Sequence, residues 1–148
     1  MTRIDFHFNL PDRLDYACRL ARKIVRSGER ATFWCPDQEL LAQWDRLLWS
    51  FSPTEFIPHV PALDPLAPDT PILLSSTSIE RPDRSILVSL IGHGSEPPAH
   101  FSRYERLIEL VSTDPADRSS ARDRWRFYRD RGYPIHTHEV GNPRPAQP

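Results

Sequence analysis

Two strand-type runs, each followed closely by an amphipathic helix, open the chain and leave few architectures open to it. Residues 2–8 alternate Ile4, Phe6 and Phe8 with Arg3, Asp5 and His7, the period of a strand. Pro11 and Asp12 then start a helix whose core stripe is Leu14, Ala17, Cys18, Ala21, Ile24 and Val25, closed by Gly28. Residues 30–34 read as a second strand. Asp37 is placed to cap a second helix with Leu40, Leu41, Trp44, Leu47 and Leu48 turned inward. Strand–helix–strand–helix at this spacing begins a parallel α/β sheet. The expected fold is a single-domain, three-layer Rossmann-like sheet flanked by helices.

Further along, residues 71–75 (PILLS) and 85–90 (SILVSL) are short apolar runs that read as buried strands. Between the second helix and these runs, residues 60–70 carry Pro61, Pro65 and Pro68 and read as an excursion from the sheet. Residues 97–101 suit a helical turn. Residues 104–111 (YERLIELV) fit either period, and a strand is favoured because the helix that follows needs one before it. Residues 134–140 (PIHTHEV) make a last strand. The domain is expected to span 1–140, and GNPRPAQP, residues 141–148, reads as a disordered Pro-rich tail.

Composition narrows the function classes. The chain has 148 residues and a net charge of −1, so extended nucleic-acid binding through many uncompensated phosphate contacts is disfavoured. Any electrostatic role must be local. Cys18 and Cys35 form neither a CxxC pair nor a zinc set, and no run approaches a membrane span. A soluble cytoplasmic protein with reduced thiols, not bound to membranes, is the expectation. Gly92-His93-Gly94 is no phosphate loop, and neither GxGxxG nor GxxxxGK[ST] occurs. His136 and His138 would share a strand face, yet no third ligand accompanies them. Asp5 and His7, late in the first strand, stand where α/β enzymes often place catalytic groups, but no nucleophile–base set declares itself.

Two stretches look like binding surfaces. Residues 121–132, ARDRWRFYRDRG, interleave arginines with Trp125, Phe127 and Tyr128. On a helix running from Asp114–Pro115 to Gly132, Ala121, Trp125 and Tyr128 share one face, and Arg118, Arg122, Arg126 and Arg129 form an adjoining ridge. Such a surface suits a ligand with negative charge and an apolar end. The pattern is also met by an amphipathic helix that buries Trp125 and Tyr128 and solvates its arginines. The second stretch, residues 47–59 (LLWSFSPTEFIPH), holds Trp49, Phe51, Phe56 and Ile57 among Ser52, Pro53 and Pro58. It reads either as a protein-docking patch or as a loop folding its own aromatics inward.

The order of these stretches resembles the chi subunit of bacterial DNA polymerase III, a non-catalytic accessory subunit of the clamp-loader complex. The likeness rests on RSGERATFWC followed by DQELLAQWDRLLW, on LLWSFSPTEFIPH, and on SILVSL followed by ARDRWRFYRDRGY, and it covers residues 1–138. It implies an adaptor without a cofactor. One surface would bind the psi subunit, or a helicase on the same patch, through Trp49, Phe56, Ile57 and Pro58. The other would take the acidic C-terminal tail of single-stranded-DNA-binding protein, which ends in a phenylalanine. Arg122 and Arg126 would make the charge contacts of that site, Trp125 and Val111 would wall its pocket, and Arg129 would assist. DNA would be reached indirectly. The family commonly has Tyr at the position of Trp125, Lys at that of Arg126, a small residue at that of Phe127 and a polar one at that of Phe51. The alternative on the same fold is a nucleotide-binding α/β enzyme of unknown reaction.

Overall fold

A computed structural model describes residues 1–91, 94 and 96–140 of the chain. The Pro-rich tail expected at 141–148, and Gly92 and His93 of the Gly-His-Gly stretch, lie outside the described residues.

The strand and helix periods of the first third fold as the sequence dictates. β1 (Arg3–Leu10) leads into α1 (Arg13–Arg26), whose Asp12 side chain accepts from the Asp15 amide. That bond satisfies one of the donors left free at a helix start. Gly28 (φ +79) closes the helix in the left-handed region, where its N–H reaches the Val25 carbonyl. β2 (Ala31–Trp34) and α2 (Gln38–Ser50) repeat the unit, with Asp37 accepting from the Glu39 and Leu40 amides. There follow β3 (His59–Pro61), β4 (Ile72–Ser75), β5 (Ile86–Ser89), β6 (Arg106–Ser112), α3 (Pro115–Asp130) and β7 (Ile135–Glu139). The turn expected at 97–101 falls slightly later, as a 3₁₀ turn at Phe101–Arg103.

All seven strands are parallel, in the order β3-β4-β2-β5-β6-β1-β7. β2, β4 and β5 are buried at every position, which is why their sequences are apolar runs rather than alternations. The edges differ. β3 is three residues long and ends on Pro61, which has no N–H to offer a further strand, and β7 is polar and largely exposed.

α1 and α2 cover one face, with Trp44 stacked on Phe33 at 4.5 Å between ring centroids. α3 covers the other, over Ile4, Phe6, Leu107 and Val111. The Rossmann-like three-layer arrangement is thus the observed fold. One inward assignment is corrected. Leu47 is 38% exposed, because α2 turns only Trp44 and Leu48 fully into the core while Leu40 and Leu41 sit half-buried.

Candidate functional site

α3 lies across β6 and β1 in an unusual way, because its innermost residues are Asp117, Ala121, Arg124 and Tyr128. Arg124 Nε reaches both Glu109 carboxylate oxygens at 3.1 Å, and the Tyr128 hydroxyl donates to Glu109 Oε2 at 2.6 Å. Burial and the Glu109 charge push the Tyr128 phenol up, so it stays protonated and remains a donor. Asp117 accepts from Arg13 of α1 and from the Ser112 hydroxyl. These bonds fix the helix in rotation and translation. The alternative reading, a helix that solvates its arginines, fails at Arg124, which stands outside the expected ridge and is fully buried and paired.

With the helix so clamped, a groove of about 230 Å³ opens between α3 and the β1–β7 side of the sheet. Phe6 and Phe8 of β1, Val111 of β6 and Ala121 and Trp125 of α3 make an apolar floor and wall. Arg118 and Arg122, one helical turn apart, line it as well, and Thr137 of β7 completes it. Neither arginine pairs with a carboxylate among the described residues, so both guanidinium groups remain available to a ligand. An apolar slot with adjacent free guanidinium groups can take a bulky apolar group and a carboxylate together.

The candidate residues named from sequence divide on inspection of this groove. Arg122, Trp125 and Val111 meet in it. Arg126 is outside its lining, exposed, and bound to Asp123 at 3.0 Å. Arg129 stands behind the wall, with its Cζ 5.0 Å from the centre of the Trp125 ring and its guanidinium on Asp130. It braces the indole rather than facing the groove. Sequence reasoning missed Phe6, Phe8, Arg118 and Thr137 as lining residues. The strand alternation and the one-turn spacing of Arg118 from Arg122 carried the signal for the first three. Thr137 follows only from β7 lying beside β1.

The second stretch builds a separate patch near the opposite sheet edge. Trp49 (60% exposed) and Phe56 (65%) hold their rings 5.5 Å apart, and Trp49 lies 4.8 Å from the His59 ring. Buried His59 is anchored through Nδ1 to the Ile57 carbonyl at 2.7 Å. Its Nε2 lies 2.9 Å from Asp45 Oδ1, near enough for an ionic contact but off the hydrogen-bonding direction. Arg26 grips Glu55 with two hydrogen bonds of 2.7 and 2.9 Å, pinning the loop to α1. Pro58 is half-buried. Ile57 does not join the exposed patch; it is 2% exposed and belongs to the core beneath. Phe51 is half-buried under the Arg22 guanidinium, 5.0 Å from the ring centre.

The late residues of β1 engage structural partners. Asp5 is bonded by Arg3 and Arg106; burial alone would raise its carboxyl pKa, but the two guanidinium groups hold it below the ordinary value. Among the described residues no group of three or more His, Cys, Asp or Glu side chains could hold a metal ion, and no helix is long and apolar enough to cross a membrane.

A family model described as "DNA polymerase III chi subunit, HolC" matches residues 1–136. The chain belongs to that family. Its members are accessory, non-catalytic subunits. Two relatives carry the name "DNA polymerase III subunit chi". The one from Pseudomonas aeruginosa PAO1 is 37% identical over 145 residues, 95% of this chain and 98% of the relative. The one from Haemophilus influenzae Rd is 30% identical over 130 residues, 86% and 87% of the two chains. The match covers every strand and helix up to the start of β7, so the aromatic patch and all of the groove lining except Thr137 fall within it.

Proposed function

We propose that this chain is a replication accessory subunit that links the DNA polymerase III assembly to single-stranded-DNA-binding protein by holding that protein's acidic C-terminal tail. The observation that carries the reading is the groove, in which Phe6, Phe8, Val111 and Trp125 form an apolar slot beside Arg118 and Arg122, neither of them paired with a carboxylate among the described residues. The terminal phenylalanine of the tail fits the slot, and its free carboxylate matches a guanidinium fork. Arg126 would then serve the aspartates further up the tail after leaving Asp123, and Arg129 would keep Trp125 in place. Trp49 and Phe56, with Pro58 beside them and Ile57 beneath, offer the psi subunit or a helicase an aromatic anchor of the kind that dominates protein interfaces. The protein would act in the cytoplasm, with DNA reached through its partner.

Titration calorimetry with a peptide of the last residues of single-stranded-DNA-binding protein tests the groove. Arg122→Ala should weaken binding by roughly 1.5–3 kcal/mol, the value of a charge-assisted hydrogen bond. Higher salt should weaken the parent complex too. Unchanged affinity in both Arg122→Ala and Arg118→Ala would refute the assignment.

A further inference from the structure

The face of the sheet opposite the groove carries a second depression, of about 290 Å³, between α1 and the β6–β1–β7 side. We propose that it is an anion site that takes a phosphate monoester on a group of nucleotide size. It exists because α1 and α2 cannot cover seven strands, so the sheet beyond α1 presents Asp5, His7 and His138 in place of core side chains. Its apolar floor is Leu20, Ile24 and Ile108.

Four cations, Arg3, Arg19, Lys23 and Arg106, stand around it against three carboxylates, Asp5, Asp15 and Glu29, which leaves one positive charge in excess. Arg19 and Lys23 of α1 and Arg106 of β6 line it, with the imidazoles of His7 and His138, whose ring centroids are 5.1 Å apart. Glu29 is the carboxylate in the lining, and it accepts from the Ser27 hydroxyl. Asp5 and Asp15 lie just outside and are occupied, Asp5 by Arg3 and Arg106, Asp15 by Arg19 at 3.2 Å. Lys23 pairs with no carboxylate among the described residues. The donors come from a helix and from neighbouring strands and border one open depression, rather than lining up along a track. That suits a compact dianion better than an extended acidic peptide. Tyr16, 2.6 Å from His7 Nδ1, adds a phenol that burial keeps protonated.

His7 reports on occupancy. Burial, then the neighbouring His138, lowers its pKa to about 4; Arg106 and Lys23 act in the same direction, and Asp5 opposes them. A phosphate among these cations would offset their effect and move the His7 midpoint upward by roughly one unit or more. The test follows histidine ring resonances of the full chain by NMR against inorganic phosphate, thymidine, thymidine 5′-monophosphate, and a thymidine decamer with and without a 5′-phosphate. Saturable shifts of His7 and His138 are expected with the monophosphate at millimolar concentration, and not with thymidine. Lys23→Gln, an exposed change that leaves the core intact, should weaken the response about tenfold. A response to the phosphorylated decamer as well as the free nucleotide would identify a strand end as the source, and a response to the nucleotide alone would identify a free metabolite. No saturable shift, equal response to thymidine, or an unaltered response in Lys23→Gln would overturn the proposal. So would an acidic peptide that shifted His7 as strongly.

Discussion

Arg124 and Glu109 explain how a helix with so little apolar surface can lie flat on a sheet. Each is fully buried, and each would be a heavy liability alone. Together with the Tyr128 hydroxyl they bring charge, hydrogen bonds and geometry into register under the groove. Arg124→Ala strands a buried carboxylate and should destabilise the protein by about 3–5 kcal/mol in urea unfolding. Arg126→Ala, at an exposed pair, should change stability by less than about 0.5 kcal/mol. His7 gives the pH counterpart. Its folded pKa of about 4 lies below the ordinary histidine value of 6.5, so between those values the unfolded chain binds the extra proton. Stability from this residue is complete above pH 6.5, falls as pH drops through the window, and is gone below about 4. The full effect is at most roughly 3 kcal/mol, visible as a stability slope that His7→Gln removes.

At the scale of elements, α3 shows what a sequence can and cannot disclose. Its start was legible to the residue, since Asp114 accepts from the Ala116 amide and Pro115 takes the first helical position, and its end to within two residues, since the helix stops at Asp130 and Gly132 (φ +80) closes the turn after it. Asp114→Ala should therefore cost about 1 kcal/mol in thermal or chemical unfolding. The inward face was only half legible. Ala121 and Tyr128 followed from the helical period, whereas Asp117 and Arg124 broke it, because their partners Arg13 and Glu109 lie on other elements, α1 and β6. Pattern reading assigns a charged residue to solvent unless something names its partner, and that something is the tertiary fold. The same limit acted at Ile57. In a loop with no period, nothing local separates the aliphatic side chain that supports the patch from the rings that present it.

At the scale of the whole molecule, the sheet order sets the two candidate binding surfaces apart. The groove sits on β1, β6 and β7, and the aromatic patch is buttressed by His59 of β3, at the other edge. Five strand spacings separate β1 from β3, roughly 25 Å at the usual sheet repeat. Between them the β4-β2-β5 centre is close-packed on both faces, a stiff spacer rather than a hinge. On the proposed adaptor role, one partner is held without altering the grip on the other. Trp49→Ala should leave affinity for the acidic peptide within about 0.5 kcal/mol of the parent, and the double variant with Arg122→Ala should show additive losses. Calorimetry on the four proteins of that cycle measures the coupling directly. A coupling energy above roughly 1 kcal/mol would mean that the sheet transmits strain between its edges, and that partners at the two surfaces bind interdependently.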